Sequence, residues 1–312
     1  MGILLAFLLF SLWTLSFPIG KYMLQFSSPM FLTGSRMLLS GLLLVGYTVF
    51  KNKVPRITKK GWLSLTILAL FSIYLSNVLE FWSLSHLTAA KTCFIYGLSP
   101  FMTALLSYIH FKEKMTKMKW VGLLLGCVGF IPIFVSKTPK EELLQAFGYF
   151  TWPELAMLGA AFFSVYGWIM LRLIVKDEEI PILFANGSSM LIGGTLALLS
   201  SYFFEIWSPS PIQQGSFFQL SSALLFLTLL SNVFCYNLYG FLLKKFTATF
   251  LSLIGLLSPL FTSLHSYILL GETPSPIIFG STFIVLIGLG IVYREEKRQG
   301  YLLSLRSDQV VN

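Results

Sequence analysis

Residues 98–113 read LSPFMTALLSYIHFKE and residues 257–272 read LSPLFTSLHSYILLGE, so one element is used twice in identical register. The first copy is followed by Lys114, Lys117 and Lys119, the second by Thr273, Pro274, Ser275 and Pro276. Positive charge collects on the cytoplasmic side of a chain that crosses a bilayer. The two copies are therefore expected to end on opposite faces of a membrane, and a unit inserted twice in contrary senses is a transporter architecture. At the same interval Thr88-Ala89 answers Thr247-Ala248, Ile95 answers Ile254 and Gly129 answers Gly288. Weaker echoes, at slightly shorter intervals, pair Pro29 with Pro181 and Trp13 with Tyr166.

Composition requires the membrane. Of 312 residues 55% are hydrophobic and 11% charged, against about 25% charged in soluble domains. The net charge of +9 invites a nucleic-acid reading, but the basic residues sit in short loops between apolar runs, where they orient helices. No nucleic-acid partner is expected. Cys93, Cys127 and Cys235 lie inside apolar segments without paired spacing, which gives neither a disulfide framework nor a metal site. The opening MGILLAFLLFSLW has no positive n-region and no small-residue cleavage pattern, so it reads as an uncleaved first helix.

Ten apolar segments can be placed, near residues 2–20, 29–50, 62–82, 87–111, 120–136, 152–173, 181–204, 217–240, 246–270 and 276–293. Even-numbered connections carry Lys51, Lys53, Arg56, Lys59 and Lys60; Lys112, Lys114, Lys117 and Lys119; Arg172 and Lys176; and Lys244 and Lys245. Odd-numbered connections carry Lys21, Lys137 and Lys140, and the tail adds Arg294, Lys297, Arg298 and Arg306. That partition places both termini in the cytoplasm. The expected fold is an all-α membrane protein of ten transmembrane helices in two inverted five-helix repeats. The first repeat spans 1–136, an outer connection 137–151, the second repeat 152–293 and a cytoplasmic tail 294–312.

Pro18, Pro100 and Pro259 lie within or near the ends of apolar helices, where each removes an N–H and frees the carbonyls of Thr14, Tyr96 and Gly255. Broken helices at mid-membrane depth often build substrate sites, although any single proline also serves as a plain kink. Ionisable groups in lipid are costly and should face a cavity or a partner. Arg36 has only Ser188 at the matching place of the second half, which favours a functional role; Glu80 and Lys91 flank a short outer connection, where they either pair or reach interfacial water. Lys21 can snorkel from its helix end, and Glu113 and Glu272 fix helix-end geometry. Rings near kinks or polar positions are Trp13 and Phe17, Trp82, Phe94 and Tyr96, Tyr166 and Trp168, Tyr236 and Tyr239. Turned inward, such rings stack on a planar base or hold a cation; turned outward, they pack. Asn77, Asn232 and Asn237 need partners in the bilayer. The substrate-binding set drawn from these groups is Trp13, Phe17, Arg36, Asn77, Glu80, Lys91, Phe94, Tyr96, Tyr166, Tyr236 and Asn237.

His86, His110 and His265 are isolated and lack metal-ligand spacing; His265 reads as a core histidine, with proton shuttling as the alternative. Gly122, Gly126 and Gly129 let helices approach closely, and a contact between two copies in a homodimer is the other reading of that stripe. Phosphate-loop, nucleophile-elbow and zincin motifs are all missing from the sequence. No catalytic residues, metal or cofactor are expected.

The whole chain resembles the EamA-type members of the drug/metabolite transporter superfamily. The resemblance is carried by Trp13, Phe17 and Lys21, by Pro29 and Arg36, and by HLTAAK at 86–91 leading into the first copy of the repeat. Gly122, Gly126 and Gly129 add to it, as does YNLYGFLLKKFTATFLSLIGLLSPLFTSLHSYILLGE at 236–272. Thr14 stands where the family usually has Gly, and Lys91 where it usually has a small or apolar residue. The resemblance implies a bacterial inner-membrane carrier without ATPase activity, moving metabolites such as amino acids, purine derivatives or nucleotide-linked compounds through a central cavity. Within the family, NLYGFLLKKFTATFLS at 237–252 looks most like a branch that takes up S-adenosylmethionine in exchange for S-adenosylhomocysteine. That implies rings for adenine, Glu80 for a sulfonium or ammonium, and Arg36 or Lys91 for a carboxylate. Export of amino acids, purines or drugs is the alternative; a channel or a membrane enzyme fits less well.

Overall fold

The computed structural model describes residues 2–111, 115–135, 144–147, 150–207, 210–242, 251, 254–255, 257–273 and 276–299. Glu113, Lys112 and Lys114, Lys137 and Lys140, Lys244 and Lys245, and the tail beyond residue 299 lie outside them, as does the His110 side chain.

Among the described residues seven helices are long and apolar enough to cross a membrane: Leu4–Met23, Pro29–Phe50, Lys59–His86, Trp152–Val175, Ile182–Phe204, Phe217–Leu242 and Pro276–Glu295. The first is α1 (Gly2–Trp13) and α2 (Ser16–Met23), broken at Thr14-Leu15. Pro18 cannot donate to Thr14, whose carbonyl instead accepts from the Phe17 N–H at 3.3 Å. Next comes α3 (Pro29–Phe50), with proline at its first turn. Its free N–H groups donate to the Glu205 carboxylate, from Met30 at 2.7 Å and Phe31 at 3.0 Å.

The third span joins α4 (Lys59–Leu68) and α5 (Ser76–His86) through a π-helical stretch, Ala69–Leu75. The segment expected at 87–111 appears as two pieces, α6 (Ala89–Tyr96) and α7 (Ser99–Phe111). The Tyr96 carbonyl at the break accepts from the Ser99 hydroxyl. Then come α8 (Lys117–Val135), α9 (Trp152–Asp177) and α10 (Ile182–Phe204). The eighth expected segment is α11 (Phe217–Leu227), a second π-helical stretch Thr228–Cys235, and α12 (Tyr236–Leu242). Of the ninth, α13 (Ser258–Leu270) is described in full, and α14 (Pro276–Arg298) follows.

The all-α expectation is not met throughout the described residues. A short antiparallel pair, β1 (Gln145–Phe147) with β2 (Phe150–Thr151), occupies the connection before α9. Outside a helix the backbone must find other hydrogen-bond partners, and here two extended segments supply each other. Thr151 and Glu154 then close a capping box at the start of α9.

The most extensive helix pairing among the described residues is α3 with α10, followed by α8 with α14. Both pairs run antiparallel, as their glycines record. A Cβ on Gly34 would meet Leu198 at 2.6 Å, whereas one on Gly41 would meet Leu191 at 2.7 Å. In the other pair a Cβ on Gly122 would meet the Gly288 carbonyl oxygen at 2.5 Å, and one on Gly129 would meet Val285 at 2.8 Å. Small residues let these backbones touch, which drives association where lipid offers no hydrophobic advantage. The third span packs on α9, α6 on α13, and α1 on the second π-helical stretch.

Candidate functional site

Helix interiors rarely leave backbone carbonyls free, but a π-helical turn does, and such turns frequently mark functional sites. In the first one the carbonyls of Ser72 and Ile73 both accept from the Asn77 amide at 3.0 Å. That fixes the amide's orientation and leaves its oxygen to accept from Arg36 Nη2 at 2.8 Å. Arg36 is 2% exposed, and its guanidinium lies over the Phe81 ring, 4.6 Å from the centroid. Glu80 is one turn beyond Asn77 on the same face of α5, close enough to Arg36 for mutual electrostatic influence. Asn77 also donates to the Tyr236 hydroxyl at 3.5 Å, joining α5 to α12.

These groups open on a cavity of about 1050 Å³ free of protein atoms, its mouth included, lined from α1, α2, α3, α5, α6, α7, α9, α12 and α13. One wall is aromatic. Trp13, Trp168, Tyr236 and Tyr239 form a box in which Trp168 lies 5.1 Å from Tyr236 and 4.4 Å from Tyr239 between ring centroids. Trp13 reaches Trp168 at 5.9 Å and Tyr236 at 5.3 Å, edge-on or tilted. Phe17 and Tyr96 meet at 6.4 Å in the same cavity, and the Tyr96 hydroxyl bonds Ser164. The arrangement can stack a flat ring at one wall and meet charges at another.

Seven residues of the expected substrate-binding set line this cavity: Trp13, Phe17, Arg36, Asn77, Glu80, Tyr96 and Tyr236. Four lie elsewhere. Lys91 is turned to the start of α9, where its Nζ is 2.8 Å from a Glu154 carboxylate oxygen. Phe94 is 2% exposed in an apolar cluster with Leu84, Leu87 and Met157. The Tyr166 ring packs on Phe71 at 5.2 Å, and Asn237 accepts from Asn186 at 3.0 Å. Trp168 and Tyr239 line the cavity although the substrate-binding set omitted them. Each is two positions from a chosen neighbour, and counting 3.6 residues per turn would have separated them from it.

Outside the cavity, Lys21 bridges two helix ends. It joins Glu272 at 3.4 Å and donates to the Leu87 carbonyl while the other Glu272 oxygen accepts from the Ala89 N–H at 3.2 Å. Glu272 thus caps α6 from the end of α13, in keeping with its expected helix-end role. His265 Nδ1 is 3.3 Å from the Thr14 hydroxyl, and no group of three His, Cys, Asp or Glu that could hold a metal occurs among the described residues.

The model of the EamA-like transporter family matches the chain twice, over residues 1–135 and 151–294. The chain is 39% identical over 306 residues to an S-adenosylmethionine/S-adenosylhomocysteine transporter of Chlamydia muridarum, covering 97% of this chain and 95% of that one. A transporter of the same description from Chlamydia trachomatis serovar L2 is 37% identical, covering 97% and 92%. A solved crystal structure, 16% identical, superposes with a TM-score of 0.66 over 96% of this chain and 98% of that one.

Proposed function

The chain belongs to the EamA-like transporter family, and we propose that it takes up S-adenosylmethionine in exchange for S-adenosylhomocysteine across a bacterial inner membrane. The observation that carries this reading is identity of 37–39% over nearly the whole length to transporters so described. The cavity agrees with it. An adenine suits the aromatic box, and Arg36 with Glu80 suits the charged end of either compound.

The mechanism we infer is alternating access by ten spans in two inverted halves, with both termini cytoplasmic. Three features support it: the twofold match of the family model, the antiparallel packing of α3 with α10 and α8 with α14, and π-helical stretches that begin at the repeat interval in both halves. The two halves share the cavity, since Trp168, Tyr236 and Tyr239 come from the second and the rest of the charged and aromatic lining from the first. Rocking one half on the other would expose it to each side in turn. The substrate set becomes Trp13, Phe17, Arg36, Asn77, Glu80, Tyr96, Trp168, Tyr236 and Tyr239. Lys91, Phe94, Tyr166 and Asn237 hold the surrounding helices.

Proteoliposomes loaded with S-adenosylhomocysteine test the reading. Saturable uptake of labelled S-adenosylmethionine, dependent on the internal load, is expected. Equal uptake into empty vesicles would sink the exchange, and uptake of neither compound would sink the substrate.

A further inference from the structure

Two charged groups in the cavity are incompletely satisfied. Arg36 Nε is buried with no hydrogen-bond partner in the structure, although buried polar atoms normally have one. Among the described residues, the Glu80 carboxylate makes neither a hydrogen bond nor a direct ion pair. The two groups nonetheless sense each other electrostatically. Asn77 holds the guanidinium from one side and Phe81 lies against its face, so turning Arg36 onto Glu80 would give up both contacts. Arg36 and Glu80, each with hydrogen-bonding capacity left over, therefore line one space.

A lone anion would satisfy only Arg36, and a lone cation only Glu80. A group carrying carboxylate and ammonium on one carbon satisfies both, through charge-assisted hydrogen bonds. We propose that Arg36 and Glu80 form a clamp for the α-amino-acid zwitterion of the substrate, Arg36 taking its carboxylate and Glu80 its ammonium. Among the described lining residues Glu80 is the one acid and Arg36 the one base. With Glu80 engaged by the ammonium, no carboxylate remains to read the charge on sulfur, and a sulfonium meets only ring faces. This deepens the exchange reading and rests on it for the sulfur. The one feature that distinguishes the two exchange partners thus meets no fixed charge, and both can occupy the site, as a carrier that must bind both requires.

Wild-type carrier in proteoliposomes decides the point by competition against labelled S-adenosylmethionine. S-adenosylhomocysteine should compete within about thirtyfold of the unlabelled substrate, since a cation held over buried ring faces is worth about 2 kcal/mol. Analogues lacking the amino group, or lacking the carboxyl group, should compete at least about tenfold less well whatever the charge on sulfur. Glu80→Gln should weaken both natural compounds by the same factor. The clamp is overturned if the des-amino analogue competes as well as the parent, or if Glu80→Gln loses S-adenosylmethionine while retaining S-adenosylhomocysteine. Should neither compound move through the wild type, the exchange reading fails by itself. The clamp is then read from thermal stabilisation of the detergent-solubilised protein by L-methionine against methylthiopropylamine and methylthiobutyrate. Stabilisation by the intact amino acid alone supports it, and equal behaviour of the three overturns it.

Discussion

The Asn77 amide donates to the Tyr236 hydroxyl at 3.5 Å, and the two residues lie 159 positions apart. That interval also separates Leu98 from Leu257 in the duplicated stretch and the starts of the two π-helical segments. Equivalent residues of a duplicated unit touch only where the symmetry axis passes between them. On the twofold arrangement proposed above, Asn77 and Tyr236 mark that axis, directly beside Arg36.

Asn77→Ala should cripple transport without blocking insertion. It removes the acceptor for Arg36 and the donor to the Ser72 and Ile73 carbonyls, and leaving such buried groups unsatisfied costs about 1–3 kcal/mol each. Uptake is expected to fall by about tenfold or more at equal membrane abundance. Tyr236→Phe keeps the ring in the aromatic box and loses one long hydrogen bond, so its effect should stay within about threefold. Wild-type uptake by Asn77→Ala would show that Arg36 needs no such support.

Exchange should move charge. S-adenosylmethionine carries one more positive charge than S-adenosylhomocysteine, so each inward cycle carries one charge across the membrane. A potential of about 100 mV, negative inside, is worth about 2.3 kcal/mol per charge. Valinomycin-imposed potentials should therefore speed uptake in one polarity and slow it in the other. Insensitivity to either polarity would mean that a compensating ion travels too.

Much of this was legible because the repeat is long and its charges asymmetric. The Pro-to-Glu stretch and its lysines announced a duplicated unit, and Arg36, Asn77 and Glu80 stood out as polar groups that lipid does not tolerate. What stayed hidden was facing. Tyr166 and Trp168 are about 200° apart around one helix, and only Trp168 reaches the cavity. Lys91 and Cys93 stand in the same relation on α6, so Cys93 lines the cavity while Lys91 meets Glu154. The π-helical stretches carry no propensity signal, since ALFSIYL and TLLSNVFC read as ordinary apolar helix.

The pair of Lys91 with Glu154 should matter for stability rather than for recognition. Both residues are buried, at 6% and 0% exposure, and the same carboxylate caps α9 through the Thr151 N–H at 2.7 Å. Removing one member of a buried pair strands the other, typically at about 3–5 kcal/mol. Lys91→Met should lower the melting temperature in detergent sharply, and Lys91→Met with Glu154→Gln should recover much of the loss. A single variant that melts with the wild type would show the pair to be dispensable.

Two glycines on α3 should respond to alanine with opposite signs. A Cβ on Gly41 would sit 2.7 Å from the Leu191 backbone nitrogen and 2.9 Å from the Gly187 carbonyl oxygen. Neither atom can move away without separating α3 from α10, and overpacking of this kind costs about 1–3 kcal/mol. A Cβ on Gly46 would meet nothing within 4 Å. There alanine removes only the helix penalty of glycine, about 1 kcal/mol. Melting curves should accordingly place Gly41→Ala below the wild type and Gly46→Ala at or above it. The antiparallel contact fails as described if Gly41→Ala melts no lower than Gly46→Ala, because the close approach of the two backbones would then not exist.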